Sequence, residues 1–411
     1  MKSGFFHGST IESTNQAPPP LIPRCGACGL FKECNSPKMP AYGNGNKKIL
    51  IIGEAPEQIE DTEGKPLLGK SGQFLRDTLE ELGIDLDEDC IRTDSIICKP
   101  SKQRQPTTLE IEHCSPNIRK IIKTTSPVCI ILLGNSAIES VLTPLWKDNP
   151  GSIIKWNGFT IPSQTLNAWI CPTWHPSFLL QGDQSNDIHK TYFKKHLQKA
   201  VQLDHQPWEE IPNWKDEIDL VYDSKEAAHK IYQSLDKYKE AAVAFDYETN
   251  MLKPDGEDAS IISCAMSFGT EKPEYTIAYP WIGNAIKATS AVLCAPIAKI
   301  ASNMKFEDRW TRTHLGHRVR NWKWDTMLAA HWMDNRRGIT SVKFQAFVHL
   351  GISPWNPHIE KYLKSDSTRE PNQITQEIEI RDLLIYNGLD SLIEFHVAIK
   401  QMQQTGYKRP W

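Results

Sequence analysis

The chain has 411 residues and a mass of 46.8 kDa; an ordinary domain runs to roughly 100–200 residues, so two or three are expected. Hydrophobic residues make up 39% and charged residues 24%, which excludes a mostly disordered chain. The 47 basic and 50 acidic side chains leave a formal charge of −3, which excludes binding of nucleic acid by bulk charge but not by a local basic groove.

Residues 1–23 are polar and rich in proline and read as a disordered lead-in. Apolar runs then alternate with helical patterns. Strands are expected at 48–52, 91–97, 128–133 and 169–173, and helices at 71–82, 110–124, from 136, and at 187–202. That alternation predicts an α/β domain with a central, mostly parallel sheet over 24–203. Residues 204–217, with two prolines, two tryptophans and no periodicity, read as a linker. A second α/β unit over 218–411 is expected to hold strands at 220–222, 241–247, 261–267 and 275–279 and helices at 224–238, 341–350 and 376–403. No apolar run approaches the roughly 18–20 residues that cross a bilayer, so no membrane partner is expected. Ten cysteines are too sparse for a disulfide scaffold, and the start of the chain has no apolar core of secretory type. The compartment is expected to be reducing and cytoplasmic, and clustered cysteines read first as metal ligands.

In Ala241–Asn250, an apolar strand runs into Asp246 and Glu248, two positions apart and so on one face. Two carboxylates at the end of a buried strand are costly unless a cation lies between them. Asn303 and Glu307 follow about 55 residues later, then Trp324-Asp325, then Tyr386 and Asp390, which share a helix face at i and i+4. In this order the elements resemble the three motifs of the DEDD 3′–5′ exonucleases, tyrosine subtype, as in the proofreading domains of family A DNA polymerases. The resemblance implies a ribonuclease H-like domain with a mixed sheet. It also implies phosphodiester hydrolysis with two Mg²⁺ or Mn²⁺ ions on Asp246, Glu248, Glu307 and Asp390, with Tyr386 orienting the attacking water. Glu307 stands where that family has Asp, and Asp325 is expected to be structural. The implied substrate is single-stranded 3′ ends of DNA.

Cys25 and Cys28 form a C-x2-C pair, and Cys98 and Cys114 follow; spacing alone fits zinc or a [4Fe–4S] cluster. With Gly53-Glu54-Ala55-Pro56, Glu60-Asp61, Gly64-x-Pro66-x-x-Gly69 and His175-Pro176-Ser177, these residues resemble the family 4 uracil-DNA glycosylases. That resemblance implies a [4Fe–4S] cluster on Cys25, Cys28, Cys98 and Cys114, with Cys34 as a rival ligand. It also implies a pocket for a flipped base built from Gly53, Glu54, Ala55, Glu57, Leu67, Asp94 and His175. Three positions depart from the family: Leu67 replaces a stacking Phe, Asp94 a base-reading Asn, and Glu57 a Gly. An ionised Asp94 only accepts hydrogen bonds, which opposes uracil. Uracil excision is therefore expected to be weak or absent, with the domain serving as a DNA-binding scaffold or reading another base. Lys99, Lys102 and Arg104, and Lys190, Lys194, Lys195 and Lys199 on one helix, are candidate phosphate contacts.

The leading expectation is a metal-dependent 3′–5′ DNA exonuclease, part of a phage DNA polymerase or working with replication proteins, in the host cytoplasm. The alternatives are an active glycosylase for uracil or a modified base, and a non-catalytic DNA-binding module. A third is a P-loop NTPase, because Gly64–Ser71 fits G-x4-G-K-[ST]. The absence of a strand running directly into that loop weighs against it.

Overall fold

The computed structural model describes residues 23–101, 104–146, 149–181, 187–355, 357–364 and 370–411. Residues 1–22 of the expected lead-in over 1–23, and Lys102, lie outside them.

The first half runs α1 (Cys25–Cys28), β1 (Ile49–Gly53), α2 (Gln58–Glu63), α3 (Lys70–Glu80), β2 (Cys90–Asp94), α4 (Thr108–Thr125), β3 (Cys129–Leu133) and α5 (Gly134–Leu142). It continues with α6 (Ile153–Trp156), β4 (Ile161–Ser163), β5 (Ala168–Thr173), α7 (Pro176–Leu180) and α8 (Asp187–Val201). The sheet order is β2-β1-β3-β5-β4, parallel except for β4. Continuous apolar runs such as Ile49–Ile52 are buried throughout, as a parallel sheet covered on both faces requires. β2 stops at Asp94, short of the expected Ile97. There Ser95 turns back, donating from its amide to the Gly53 carbonyl (3.0 Å) and from its hydroxyl to the Glu54 carbonyl (2.5 Å).

The second half opens with β6 (Ile218–Leu220), α9 (Ser224–Lys237), β7 (Ala242–Thr249), β8 (Ile261–Gly269), β9 (Pro273–Pro280) and α10 (Gly283–Cys294). β10 (Ala298–Ala301), α11 (Met304–Leu315), β11 (Trp322–Asp325), α12 (Thr326–Met333) and α13 (Val342–Leu350) follow. The short α14 (Pro357–Glu360) and α15 (Ile374–Glu377) lead to the long α16 (Ile380–Thr405). The mixed sheet has the order β11-β10-β7-β8-β9-β6. The sequence reading passed over β10 because Lys299 breaks its apolar run. The lysine is buried, with its ammonium bonded to the carbonyls of Ala295 (2.6 Å) and Ile297 (2.8 Å), and burial lowers its pKa to about 8.

The two halves share a core. Phe344, Phe347 and Val348 of α13 belong to one apolar cluster with Trp146, Trp156, Ile161 and Ile170 of the first half. Arg336 donates to the carbonyls of Ile154 (3.1 Å), Lys155 (3.2 Å) and Asn157 (3.0 Å). Among the described residues no helix is long and apolar enough to cross a membrane.

Candidate functional sites

β7 lies inside the mixed sheet between β8 and β10, and α16 packs across it. Two contacts fix that helix to the strand. The Ser391 hydroxyl donates to the Ala244 carbonyl (3.0 Å). The Asn387 amide donates to the Asp246 carbonyl (3.1 Å) and to its carboxylate (2.8 Å). Gly388 lets the same helix come close to β6, since a Cβ there would lie 2.6 Å from the Ile218 side chain. Asp246, Glu248 and Asp390 are thereby brought together, with one carboxylate oxygen of each within 4.8 Å of the others. Burial first, then mutual repulsion, drives Asp246 and Glu248 well above the usual carboxylate range, and burial raises Asp390 to about 6. A set of oxygens this crowded fits hard divalent cations.

Glu307, in the first turn of α11, is fully buried and does not join that group of three. Its Oε2 has no hydrogen-bond partner, and burial with the charges of Asp246, Glu394 and Glu248 holds it neutral. The orphaned oxygen and the nearby carboxylates fit a divalent cation. Asp308 faces away and is held by Arg318 and the Val319 amide. Asn303 caps α11 in the left-handed region, φ 65°. Asp325 takes the amides of Asn303 (3.1 Å) and Met304 (2.9 Å) at α11 and of Met327 (3.0 Å) and Leu328 (3.1 Å) at α12, so it joins two helix starts.

Three residues here were not read from the sequence. Asn387 orients Asp246, and its only signal is its place beside Tyr386. Glu394, one turn beyond Asp390, is a further buried acid raised by burial and by Asp246. Lys343 donates to the Tyr386 hydroxyl (2.5 Å) and to Glu360 (2.7 Å), with its ammonium 4.5 Å from the Tyr386 ring centre. Its charge opposes the upward shift of all three clustered carboxylates.

In the first half the candidate base pocket lies at the carboxyl ends of the parallel strands, where such sheets place ligands. A cavity of about 220 Å³ is lined by Glu54, Ala55, Glu57, Lys99, Arg104 and His175, among others. Glu54 accepts from the Asn135 amide (3.2 Å). Gly134, φ +84°, leaves room for it: a Cβ would lie 2.5 Å from its oxygen and 3.0 Å from the His175 Cβ. His175 Nδ1 accepts from the Ser177 amide (3.3 Å), so the neutral ring carries its proton on Nε2. Burial lowers the His175 pKa and favours that neutral form.

Gly53, Leu67 and Asp94 pack against one another. A Cβ at Gly53 would sit 2.3 Å from the Asp94 carboxyl and 3.2 Å from Leu67. Asp94 is buried, and burial together with Glu60, Glu54 and Glu57 raises its pKa far above the carboxylate range. This corrects the expectation of an acceptor-only Asp94. The neutral acid has one O–H donor and one carbonyl acceptor, a complement closer to that of Asn. Replacing Asp94 by Asn removes a group that loses proton-linked stability as pH rises above the unfolded carboxylate value near 3.8. Asp94→Asn is therefore expected to raise the melting temperature by a few degrees at pH 8 and by less at pH 5, followed by calorimetry.

The P-loop reading does not survive. β1 ends at Gly53 and α2 intervenes before Gly64. The Leu68 and Gly69 amides, which would cradle a phosphate, donate to the buried Glu60 carboxylate (3.0 and 2.8 Å).

Cys25, Cys28, Cys98 and Cys114 line one small cavity with Leu30, Phe31 and Ile96, while Cys34 is not among its lining residues. No three of these sulfurs lie within 4.8 Å of one another. The Lys38 amide points at Cys98 Sγ (3.2 Å) and the Asn117 amide at Cys114 Sγ (3.6 Å). Such donors are common around cluster thiolates.

Comparison with known proteins finds two family matches in separate parts of the chain. Residues 40–201 match the uracil DNA glycosylase superfamily, and residues 220–400 match a 3′–5′ exonuclease family. The type-4 uracil-DNA glycosylase of Saccharolobus solfataricus is 32% identical over 177 residues, 42% of this chain and 81% of that protein. A DNA polymerase of Bacillus phage SP01 is 26% identical over 336 residues, 75% of this chain but only 35% of the polymerase. The catalytic core of RRP6 from Trypanosoma brucei aligns over 46% of this chain and 47% of its own, at 15% identity and a TM-score of 0.34. The chain thus belongs, through its first half, to the type-4 uracil-DNA glycosylases, and carries a 3′–5′ exonuclease domain fused behind it.

Proposed function

We propose that the chain is a divalent-metal-dependent 3′–5′ exonuclease of the proofreading kind. In this reading it removes nucleotides from single-stranded 3′ ends of DNA, in the cytoplasm of a phage host, as a portion or partner of a DNA polymerase. The observation that carries it is the convergence of Asp246, Glu248 and Asp390 within 4.8 Å beside Tyr386. The domain limits that go with it are 24–203 for the glycosylase-like unit, 204–217 for the linker and 218–411 for the exonuclease.

Asp246, Glu248 and Asp390 are the proposed holders of two Mg²⁺ or Mn²⁺ ions, with Glu307 reaching them directly or through water. When bound, such ions supply an activated water and neutralise charge on the leaving 3′ oxygen. Tyr386, fixed by Lys343, orients the water with its hydroxyl. Asn387 holds the Asp246 carboxylate in place, and Asp325 aligns the helix that carries Glu307. In the first domain Cys25, Cys28, Cys98 and Cys114 are the proposed ligands of a [4Fe–4S] cluster. Brown protein with broad visible absorbance supports that assignment, and colourless protein containing zinc refutes it.

A 3′-labelled oligonucleotide incubated with purified protein tests the main reading. Stepwise loss from the 3′ end with Mg²⁺, stopped by a chelator, is expected; an intact strand overturns it. Because burial raises Asp390 to about 6 and Asp246 and Glu248 well above the usual range, and cations need the ionised forms, the Mg²⁺ concentration for half-maximal rate should rise at least about tenfold for each pH unit below about 6. Titrations of rate against Mg²⁺ at several pH values check this.

Base excision is a second reading, favoured by the neutral His175, whose Nε2–H can donate to a departing anionic base, and by the neutral Asp94. Release of free base from uracil-containing or modified strands tests it separately.

A further inference from the structure

His113 of α4 is a buried histidine that neither proposed activity uses. It is 7% exposed, and its Nδ1 has no hydrogen-bond partner. A buried polar atom left unpaired costs about 1–3 kcal/mol. The residue lines the same cavity as Cys25, Cys28, Cys98 and Cys114. Water is a poor account of the missing partner. A buried water makes two to four polar contacts, and apart from Lys38 and Asn117 the remaining walls are Leu30, Phe31, Ile96 and Ile97.

Hydrogen-bond donors are shared unevenly among the four sulfurs. Cys98 Sγ receives the Lys38 amide and Cys114 Sγ the Asn117 side chain, while among the described residues Cys25 and Cys28 Sγ receive none. Those two cysteines sit on α1, and α1 is tied to α4 at His113 itself. The Arg24 amide, beside Cys25, donates to the His113 carbonyl (3.2 Å). An unused ring nitrogen and two sulfurs without donors thus belong to one corner of one cavity.

We propose that His113 Nδ1–H donates a hydrogen bond to the cofactor held by the four cysteines, on the side of α1, and so tunes its reduction potential and its retention. The inference rests on the [4Fe–4S] reading. Thiolate and sulfide sulfurs accept and do not donate, so the ring carries its proton on Nδ1, the opposite tautomer to His175. Reduction adds a negative charge to such a cluster. A donor to its sulfurs therefore stabilises the reduced form more than the oxidised one and raises the potential.

The test compares the full chain with two variants. His113→Leu removes the donor. His113→Asn keeps one, because the Asn amide nitrogen and the His Nδ1 stand the same number of bonds from Cα. Circular dichroism and iron and sulfide content measure folding and loading. Spectroelectrochemistry at fixed potential should find the ratio of reduced to oxidised cluster about tenfold lower in His113→Leu, a shift of about 59 mV for one electron, with His113→Asn close to the parent. Iron release to a chelator should be faster in His113→Leu only, and loss of the cluster from that variant alone supports the proposal. A loaded His113→Leu at the parent potential overturns it, as does His113→Asn shifted as far as His113→Leu. Loss of the cluster from both variants also overturns it, since the amide should suffice. Pulsed paramagnetic resonance that finds a His113 nitrogen bound directly to iron makes the residue a ligand and overturns it as well. Colourless parent protein sinks the cluster reading and this inference with it. Brown parent protein whose potential ignores His113 sinks this inference alone.

Discussion

Asp246→Ala is expected to slow 3′-end degradation by at least about a thousandfold, the scale lost when transition-state charge is left unneutralised. Asp246 stands beside Glu248 and Asp390 and with them supplies the crowded carboxylate oxygens that would hold the cations. The same change should not unfold the metal-free protein. Removing one of several crowded acids relieves repulsion, so the melting temperature without Mg²⁺ should hold steady or rise. The stabilisation gained on adding Mg²⁺ should largely vanish. Loss of activity together with a falling metal-free melting temperature would show that Asp246 is structural. Rates by gel and melting with and without Mg²⁺ separate the two outcomes.

Phe344→Ala is expected to cost about 3–5 kcal/mol, the range for an aromatic side chain removed from a packed core. The ring meets Trp156 at 5.1 Å, Phe159 at 5.6 Å and Trp146 at 5.7 Å, all from the first half of the chain. Its neighbour Lys343 reaches Tyr386 in the carboxylate site. One substitution at the junction should therefore lower the stability of both halves and the exonuclease rate together. Denaturant unfolding followed by tryptophan emission measures the first and the labelled-strand assay the second. A variant in which only the glycosylase-like half loosens would show that α13 does not link the two.

What the sequence revealed follows from how local each signal is. Asp246 with Glu248, and Tyr386 with Asp390, sit at strand and helix spacings, so their shared faces could be read directly. The parallel sheet was legible because Ile49–Ile52 and Val128–Leu133 are uninterrupted apolar runs. Lys343 and Glu394 were not, because a lysine on a nine-residue helix and a glutamate on a long one look like solvated positions until the fold half-buries the first and buries the second. The ionisation of Asp94 was misjudged for a related reason. Three glutamates distant in sequence crowd it, and only the tertiary structure brings them there.

Glu60 serves as a captive anion. Its carboxylate holds the amides of Glu57, itself assigned to the base pocket, and of Leu68 and Gly69, which follow Leu67. The rim of that pocket is thus set before any ligand arrives, and a nucleotide entering it has little loop ordering left to bring about. Substitution of Glu60 would convert a rigid doorway into a mobile one and leave three amides open to stray sulfate or phosphate.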